Sequence, residues 1–430
     1  MYKIDYSYLR PKKAEKLKQW NDNELKFCER PGIWEGSNAT ILPMRRPAGE
    51  YGRGGVVDDR GRYVPESEVG KAVYQGYDFT DPEYRDEKVV YCGFLINHWG
   101  HFLLEGISRL WYYFENDLTI DKYVFFLDEN EEREITGNYK ELLQLLNIWD
   151  RLEIINSPTT FRHIIVPEPA YRCGRYYSVQ FLNIFREAAK NVVPDPNWIK
   201  TDKIFLSRSK FQKGKSYEFG LEVLDNFYEK NGYTVVFPEK ISLSQLIYYI
   251  RNTSVVASTS GTLPHHILFA EEGHKLVILE RCVVNNDFQV DVNKMMNLDV
   301  TYIDAHVPIY CVQVSGPFIM GYTELLESYA KQNNMVPPDA QYCTKHYWKR
   351  CFAKYMRSYK YHYYHQWFAP DWYIQFAEEL WEGYQAGEKY FGGYLTGQKI
   401  VGLSQCFDWY YWCHMSSWIS RQIHRLIRRK

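Results

Sequence analysis

Between residues 202 and 305 the chain alternates short apolar runs with segments of helical spacing, and this rhythm restricts the fold more than any other feature. Residues 203–206 (KIFL), 233–237 (YTVVF), 254–257 (SVVA), 275–279 (KLVIL) and 300–303 (VTYI) read as strands. Helical spacing fills 221–230, 242–251 and 262–271 between them. The first of these ends at Asn231-Gly232, a helix stop, and Ser242 is placed to cap the second. Short strands separated by such helices imply parallel βαβ units, because parallel neighbours need a crossover, and the helices cover both faces of the sheet. The fold class is therefore α/β.

The rest of the chain has a looser rhythm. Residues 91–121 are strongly apolar and helix-like, 122–128 (KYVFFLD) and 162–166 (RHIIV) read as strands, and 139–149 has helical spacing. Residues 1–90 are polar, rich in Gly, Pro and Arg, and expected to be irregular; 50–62 (EYGRGGVVDDRGR) reads as turns. A further helix is expected over 322–333, and Val336-Pro337-Pro338-Asp339 marks a break. The chain thus divides into three regions: a first lobe over 1–200, a second over 201–335, and an aromatic, basic and helical extension over 336–430.

Composition removes several classes. Hydrophobic residues at 45% and charged residues at 24% match ordinary globular chains and exclude disorder as the main state. A chain of 430 residues makes two or three domains. With 52 Lys and Arg against 53 Asp and Glu, the chain lacks the basic surface of a dedicated nucleic-acid binder. No run of apolar residues is long enough to span a membrane, and the first residues do not read as a secretory leader. The nine Cys form no C-x-x-C pair, which weakens zinc and thioredoxin-like readings and fits reduced thiols in a cytoplasmic protein. The 38 Tyr and 13 Trp suit sugar rings, but equally a packed core or a membrane interface.

Ligands of open parallel sheets bind at the carboxyl ends of the strands. There the sequence offers Ser207-Arg208-Ser209-Lys210, then Pro238-Glu239, then 258–262 (STSGT), then Glu280-Arg281. Ser260, Gly261 and Thr262 before a helix would expose amides to a phosphate. Arg208 would grip phosphate oxygens with a fork that never loses its charge, assisted by Lys213 and Lys215. Glu280 would accept from ribose hydroxyls; its plainer reading is a cap or an ion pair. No G-x-G-x-x-G follows a strand, and neither a Walker-type loop nor a D-x-D occurs. If the chain binds a sugar-nucleotide diphosphate, cations and amides must neutralise it in place of a metal-holding D-x-D pair, and no cofactor is expected. The missing glycine fingerprint also makes a nucleotide-dependent oxidoreductase a weak reading.

A second constellation lies in 97–111 (NHWGHFLLEGISRLW). Read as one helix, Asn97, His101, Glu105 and Ser108 share a polar face. His101 with Glu105 is a workable acid–base pair, since the carboxylate orients the imidazole. The plainer reading is a hydrogen-bonded core histidine. Zinc is disfavoured, as no third ligand is near. Of His265 and His266, adjacent on a helix, at most one would approach the site.

Taken together, 97–111, 204–209 (IFLSRS), 258–270 (STSGTLPHHILFA) and 277–280 (VILE) resemble glycosyltransferase family 61, in order from about Tyr91 to Asp304. The resemblance implies a GT-B-like fold, two Rossmann-like lobes with parallel sheets facing a cleft. It implies an inverting transferase that uses a nucleotide sugar, usually a uridine diphosphate sugar, without an essential metal. Bacterial relatives are labelled capsular or surface polysaccharide biosynthesis proteins. His101 and Glu105 fall on the acceptor-side motif, with Asn97, Trp99 and Arg109 beside them. Arg208 falls on the diphosphate-side arginine, Gly261 and Thr262 in the small-residue loop with His265 after it, and Glu280 on the acid ending the next strand. Two departures stand out. Tyr217-Glu218 replaces the commoner Asn-Glu, and Ser-Gly-Thr replaces Gly-Ala or Gly-Ser.

The expected partners are a nucleotide sugar and an oligo- or polysaccharide acceptor, lipid-linked acceptors included, in the cytoplasm. Arg421, Arg425, Arg428 and Arg429 near Trp409, Trp412 and Trp418 suggest peripheral membrane contact through 400–430. A helical cap on the lobes is the alternative there. A non-catalytic glycan-binding or assembly protein on the same scaffold is the alternative for the whole chain.

Overall fold

The computed structural model describes residues 2–46, 52–69, 76–115, 117–211, 217–282, 286–306 and 316–344, parts of 346–358, and a short strand pair at Lys389–Tyr390 and Leu395–Thr396. Lys213, Lys215 and almost all of the 336–430 extension, including 400–430, lie outside the described residues.

The first part of the chain runs through β1 (Lys3–Tyr8), α1 (Pro11–Asp22), β2 (Ile33–Arg45), β3 (Arg53–Val57), β4 (Glu83–Phe94) and β5 (Lys122–Phe126). Then come α2 (Gly137–Leu145), β6 (Leu152–Ile155), β7 (Thr159–Pro167) and α3 (Val179–Lys190). The second part runs through β8 (Lys203–Leu206), α4 (Leu221–Lys230), β9 (Thr234–Val236), α5 (Leu243–Arg251), β10 (Val255–Thr259) and β11 (Lys275–Glu280). It finishes with α6 (Asp287–Met295), β12 (Asp299–Asp304) and α7 (Glu324–Gln332).

The alternation over 202–305 builds a six-stranded, wholly parallel sheet in the order β1-β12-β11-β10-β8-β9. Its strands are short, β-branched and buried, as a sheet covered on both faces requires. The connection from β8 goes to β9 on one side, and the next runs from β9 back past β8 to β10 on its other side. A crevice opens at such a switch point, at the carboxyl ends of β8 and β10. The caps also match: Ser242 Oγ accepts from Gln245 N at 3.1 Å. Gly220 precedes α4 at φ 86°, and a Cβ there would lie 2.2 Å from Met320 O, so only glycine fits.

Three expectations need correction. Residues 1–90 are not irregular: they hold β1, α1, a long hairpin of β2 with β3, and most of β4. β1 belongs to the far edge of the second sheet, where Lys3 pairs with Asp299. The sheet of the first part is mixed: in the order β3-β2-β7-β4-β5-β6, β2 runs antiparallel to both its neighbours, because the tight return into β3 reverses the chain. A single buried cluster joins Val90, Phe125 and Ile165 of one sheet to Ile204, Val256 and Ile278 of the other through α2, α3 and α5. Glu141 of α2 even caps α5, accepting from the backbone N–H groups of Leu243 and Ser244 at 2.8 Å each. Apolar faces left open between the sheets would be too costly, and the helices fill that space. Among the described residues no helix is long and apolar enough to cross a membrane.

Candidate active site

β4 ends at Phe94, and the chain then turns through exposed Asn97 into His98, which caps a short helix, Trp99–His101. The expected single helix over 97–111 is broken. A π-helical turn, Phe102–Gly106, comes directly after it, closed by Ile107 N–H on Phe102 O at 3.0 Å. Gly106 permits this, since a Cβ there would lie 2.8 Å from the Phe102 ring. Ser108 leaves the polar face: buried, it donates to Glu105 O at 2.9 Å.

The His101–Glu105 pair does form. Nδ1 of His101 lies 2.6 Å from Glu105 Oε2, with side chains 45% and 28% exposed. A carboxylate at that distance accepts a hydrogen bond from Nδ1–H, which leaves the lone pair on Nε2 of this half-exposed ring. The ring is held edge-on by Phe288 at 5.2 Å and by His98 at 4.8 Å. Burial pushes the His98 imidazole below its ordinary value, and His101, Arg208 and Arg281 add to that. His98 therefore lies in the electrostatic field of both the imidazole pair and the arginines after β8 and β11.

The small-residue loop reaches the same place. A Cβ on Gly100 would fall 2.8 Å from Thr262 Oγ1, so the helix carrying His101 rests directly on the loop. Ser260 is buried, its N–H bonded to Leu279 O and its Oγ accepting from Arg281 N at 3.2 Å. Gly261 sits at φ 113°. Beyond Thr262 the chain forms a seven-residue 3-10 helix, Leu263–Phe269, rather than the expected α-helix. Pro264 lacks an N–H, and tight turns align fewer amides. The dipole expected to hold phosphate is correspondingly weaker, and a phosphate there would depend on cations.

Two guanidiniums supply them. Arg208 Nη1 lies 3.6 Å and Arg281 Nη1 2.7 Å from the same oxygen, Oε1 of Glu218. The Glu218 carboxylate is wholly buried, and its Oε2 has no hydrogen-bond partner. Burial lowers the Arg208 guanidinium and Glu218 opposes it; an arginine keeps its charge under such a balance. The sequence motifs include Arg281, Glu218 and His98 but assign none of them a role in the site. The available signal was an arginine directly after the apolar run of β11.

Other expected site residues are engaged elsewhere. Trp99 Nε1 donates to His266 Nε2 at 2.9 Å, and its ring packs on Tyr139 and Phe102. His266 in turn donates from Nδ1 to Leu263 O, and burial pushes it down to about 4. His265 is also buried and neutral, pushed down to about 3, with Nδ1 on Gln289 Oε1 at 2.8 Å. Arg109 is buried and donates to the backbone oxygens of Pro167 and Glu68, so it ties β7 to the loop before β4 instead of facing an acceptor. Among the described residues no group of three or more His, Cys, Asp and Glu could hold a metal ion.

Glu280 takes its plainer role. It is 2% exposed, and Lys13 of α1 reaches it at 2.6 Å while also donating to Cys282 O. A carboxylate so engaged offers little to a ribose. Replacing Lys13 with Met would leave that carboxylate buried without its cation, and is expected to lower stability by about 3–5 kcal/mol. A urea titration would measure the loss, and adding Glu280→Gln should restore most of it. An unchanged midpoint in Lys13→Met would refute the pairing.

No curated protein matches the chain. The family model described as Glycosyltransferase 61 matches residues 99–277, from the helix that carries His101 into β11, and so covers the imidazole pair, Arg208, Glu218 and the small-residue loop. Over those residues the chain is similar to glycosyltransferase family 61, and it is an enzyme of the glycosyltransferase class.

Proposed function

We propose that this enzyme is an inverting transferase that moves a sugar from a nucleotide-sugar donor, a uridine diphosphate sugar, to a glycan hydroxyl in surface polysaccharide assembly. One observation carries the reading. A half-exposed imidazole backed by a carboxylate lies against the loop at the switch point of a parallel sheet, where two arginines converge. In a GT-B-like manner, the first part of the chain supplies the acceptor side and the second the donor side.

The groups present define the chemistry. His101 Nε2 takes the proton of the acceptor hydroxyl while Glu105 steadies the imidazolium that forms. The acceptor oxygen bonds to the anomeric carbon from the face opposite the leaving group. The bond from that carbon to the phosphate oxygen breaks, and the nucleoside diphosphate departs with the electron pair. Arg208 and the backbone of Gly261 and Thr262 meet the charge that develops there. Arginines in that position support a mechanism that needs no essential metal.

A thermal-shift screen of nucleotide sugars tests this. One donor class should raise the melting temperature, with about 2.7 kcal/mol of added stability at a hundredfold excess over Kd. A chelator should leave the shift intact. If no nucleotide sugar stabilises the protein, the donor assignment fails; donor binding without transfer to any glycan would point to a non-catalytic binding protein.

A further inference from the structure

Three neighbouring strands of the parallel sheet each deliver one element to the crevice. Arg208 follows β8, Gly261 follows β10 and Arg281 follows β11. Gly261 and Arg281 touch: a Cβ on Gly261 would lie 2.4 Å from Arg281 Nη2, so the loop has glycine where the guanidinium passes. Each guanidinium also faces a ring, Arg208 over Phe211 and Arg281 over Phe318, both at 4.5 Å. A ring against one face fixes the plane of the fork and directs its N–H groups sideways. Both forks converge on Oε1 of the buried Glu218. The two cations share this one carboxylate, at side-chain exposures of 18% for Arg208 and 10% for Arg281. The 3-10 helix after the loop adds little positive field of its own.

We propose that Arg281 is a second diphosphate-binding residue, set beside Arg208 by the Glu218 carboxylate that both share. This rests on the donor reading above and adds to it which side chains hold the two phosphates. A diphosphate spans two phosphorus centres, and two forks anchored on one carboxylate can each take one of them. Glu218 is the positioning residue: it draws both forks to one oxygen and offsets their mutual repulsion.

Calorimetric titration of the full chain with inorganic pyrophosphate, uridine diphosphate and uridine tests the proposal. Pyrophosphate carries no base, so its binding does not depend on which nucleoside the enzyme prefers. Arg281→Gln is expected to weaken pyrophosphate and uridine diphosphate at least 30-fold and to leave the weak binding of uridine unchanged. Arg281→Lys, which keeps the charge but not the fork, should recover part of that loss, and serves if the glutamine variant does not fold. Wild-type affinity for pyrophosphate in both folded variants would overturn the role of Arg281 while leaving the donor site standing. A wild-type protein that binds neither pyrophosphate nor uridine diphosphate would overturn the donor reading and this inference together.

Discussion

Turnover of the His101→Ala enzyme is expected to fall at least 100-fold, the scale of a lost general base. The geometry gives this residue the part. Its Nδ1 is taken by Glu105 at 2.6 Å, its other nitrogen keeps the lone pair on a half-exposed ring, and the backbone beneath it is locked against Thr262 by the close approach of Gly100. Of the other histidines nearby, His265 and His266 cannot substitute, since both are buried, neutral and hydrogen-bonded. Glu105→Gln should lower turnover in the same direction by a smaller factor. The double variant should lose no more than His101→Ala alone, because the two side chains act as one unit. Donor binding should persist in all three variants, which separates a lost base from a lost fold. Activity within a few-fold of wild type in His101→Ala would transfer the base role to Glu105.

Arg208→Ala is expected to lower kcat by about 100- to 1,000-fold, as when a preorganised donor is removed from a site of developing charge. The effect should concentrate in kcat, because the leaving diphosphate gains charge as the glycosidic bond breaks. The fold should survive, since Glu218 keeps Arg281 at 2.7 Å. Arg208→Lys should recover little, as an ammonium cannot reproduce bidentate contact. Steady-state kinetics on each variant, with melting curves as a control for folding, would decide the matter. An Arg208→Ala enzyme with wild-type kcat would remove this residue from the donor site.

The strands of the second sheet were legible because each is buried on both faces and so reads as a continuous apolar run; β8, β11 and β12 lie within a residue of their expected bounds. The hairpin of β2 and β3 was not legible. Within β2 stand Gly36, Asn38 at φ 54° and Pro43, all turn-forming types, and half of the strand is not buried. Pairing with β7 on one side and β3 on the other overrides those local preferences. The helix expected after β10 tightened to 3-10 around Pro264. Within the site, the i,i+4 spacing of His101 and Glu105 and the position of Arg208 after a strand were visible as pattern. The convergence of Arg208 and Arg281 on Glu218 was not, because it depends on which strands are neighbours and on a two-residue strand, Glu218–Phe219, paired with Phe318–Ile319.

The placement of β1 has a consequence for biosynthesis. Its hydrogen-bonding partner, β12, lies on the order of 300 residues downstream. At translation rates of about 5–20 residues per second, the nascent segment waits roughly 15–60 s for its mate. Completion of the parallel sheet, including the seating of Lys13 on Glu280, therefore waits until β12 has been made. A bulky fusion partner attached just before residue 3 would burden that docking step.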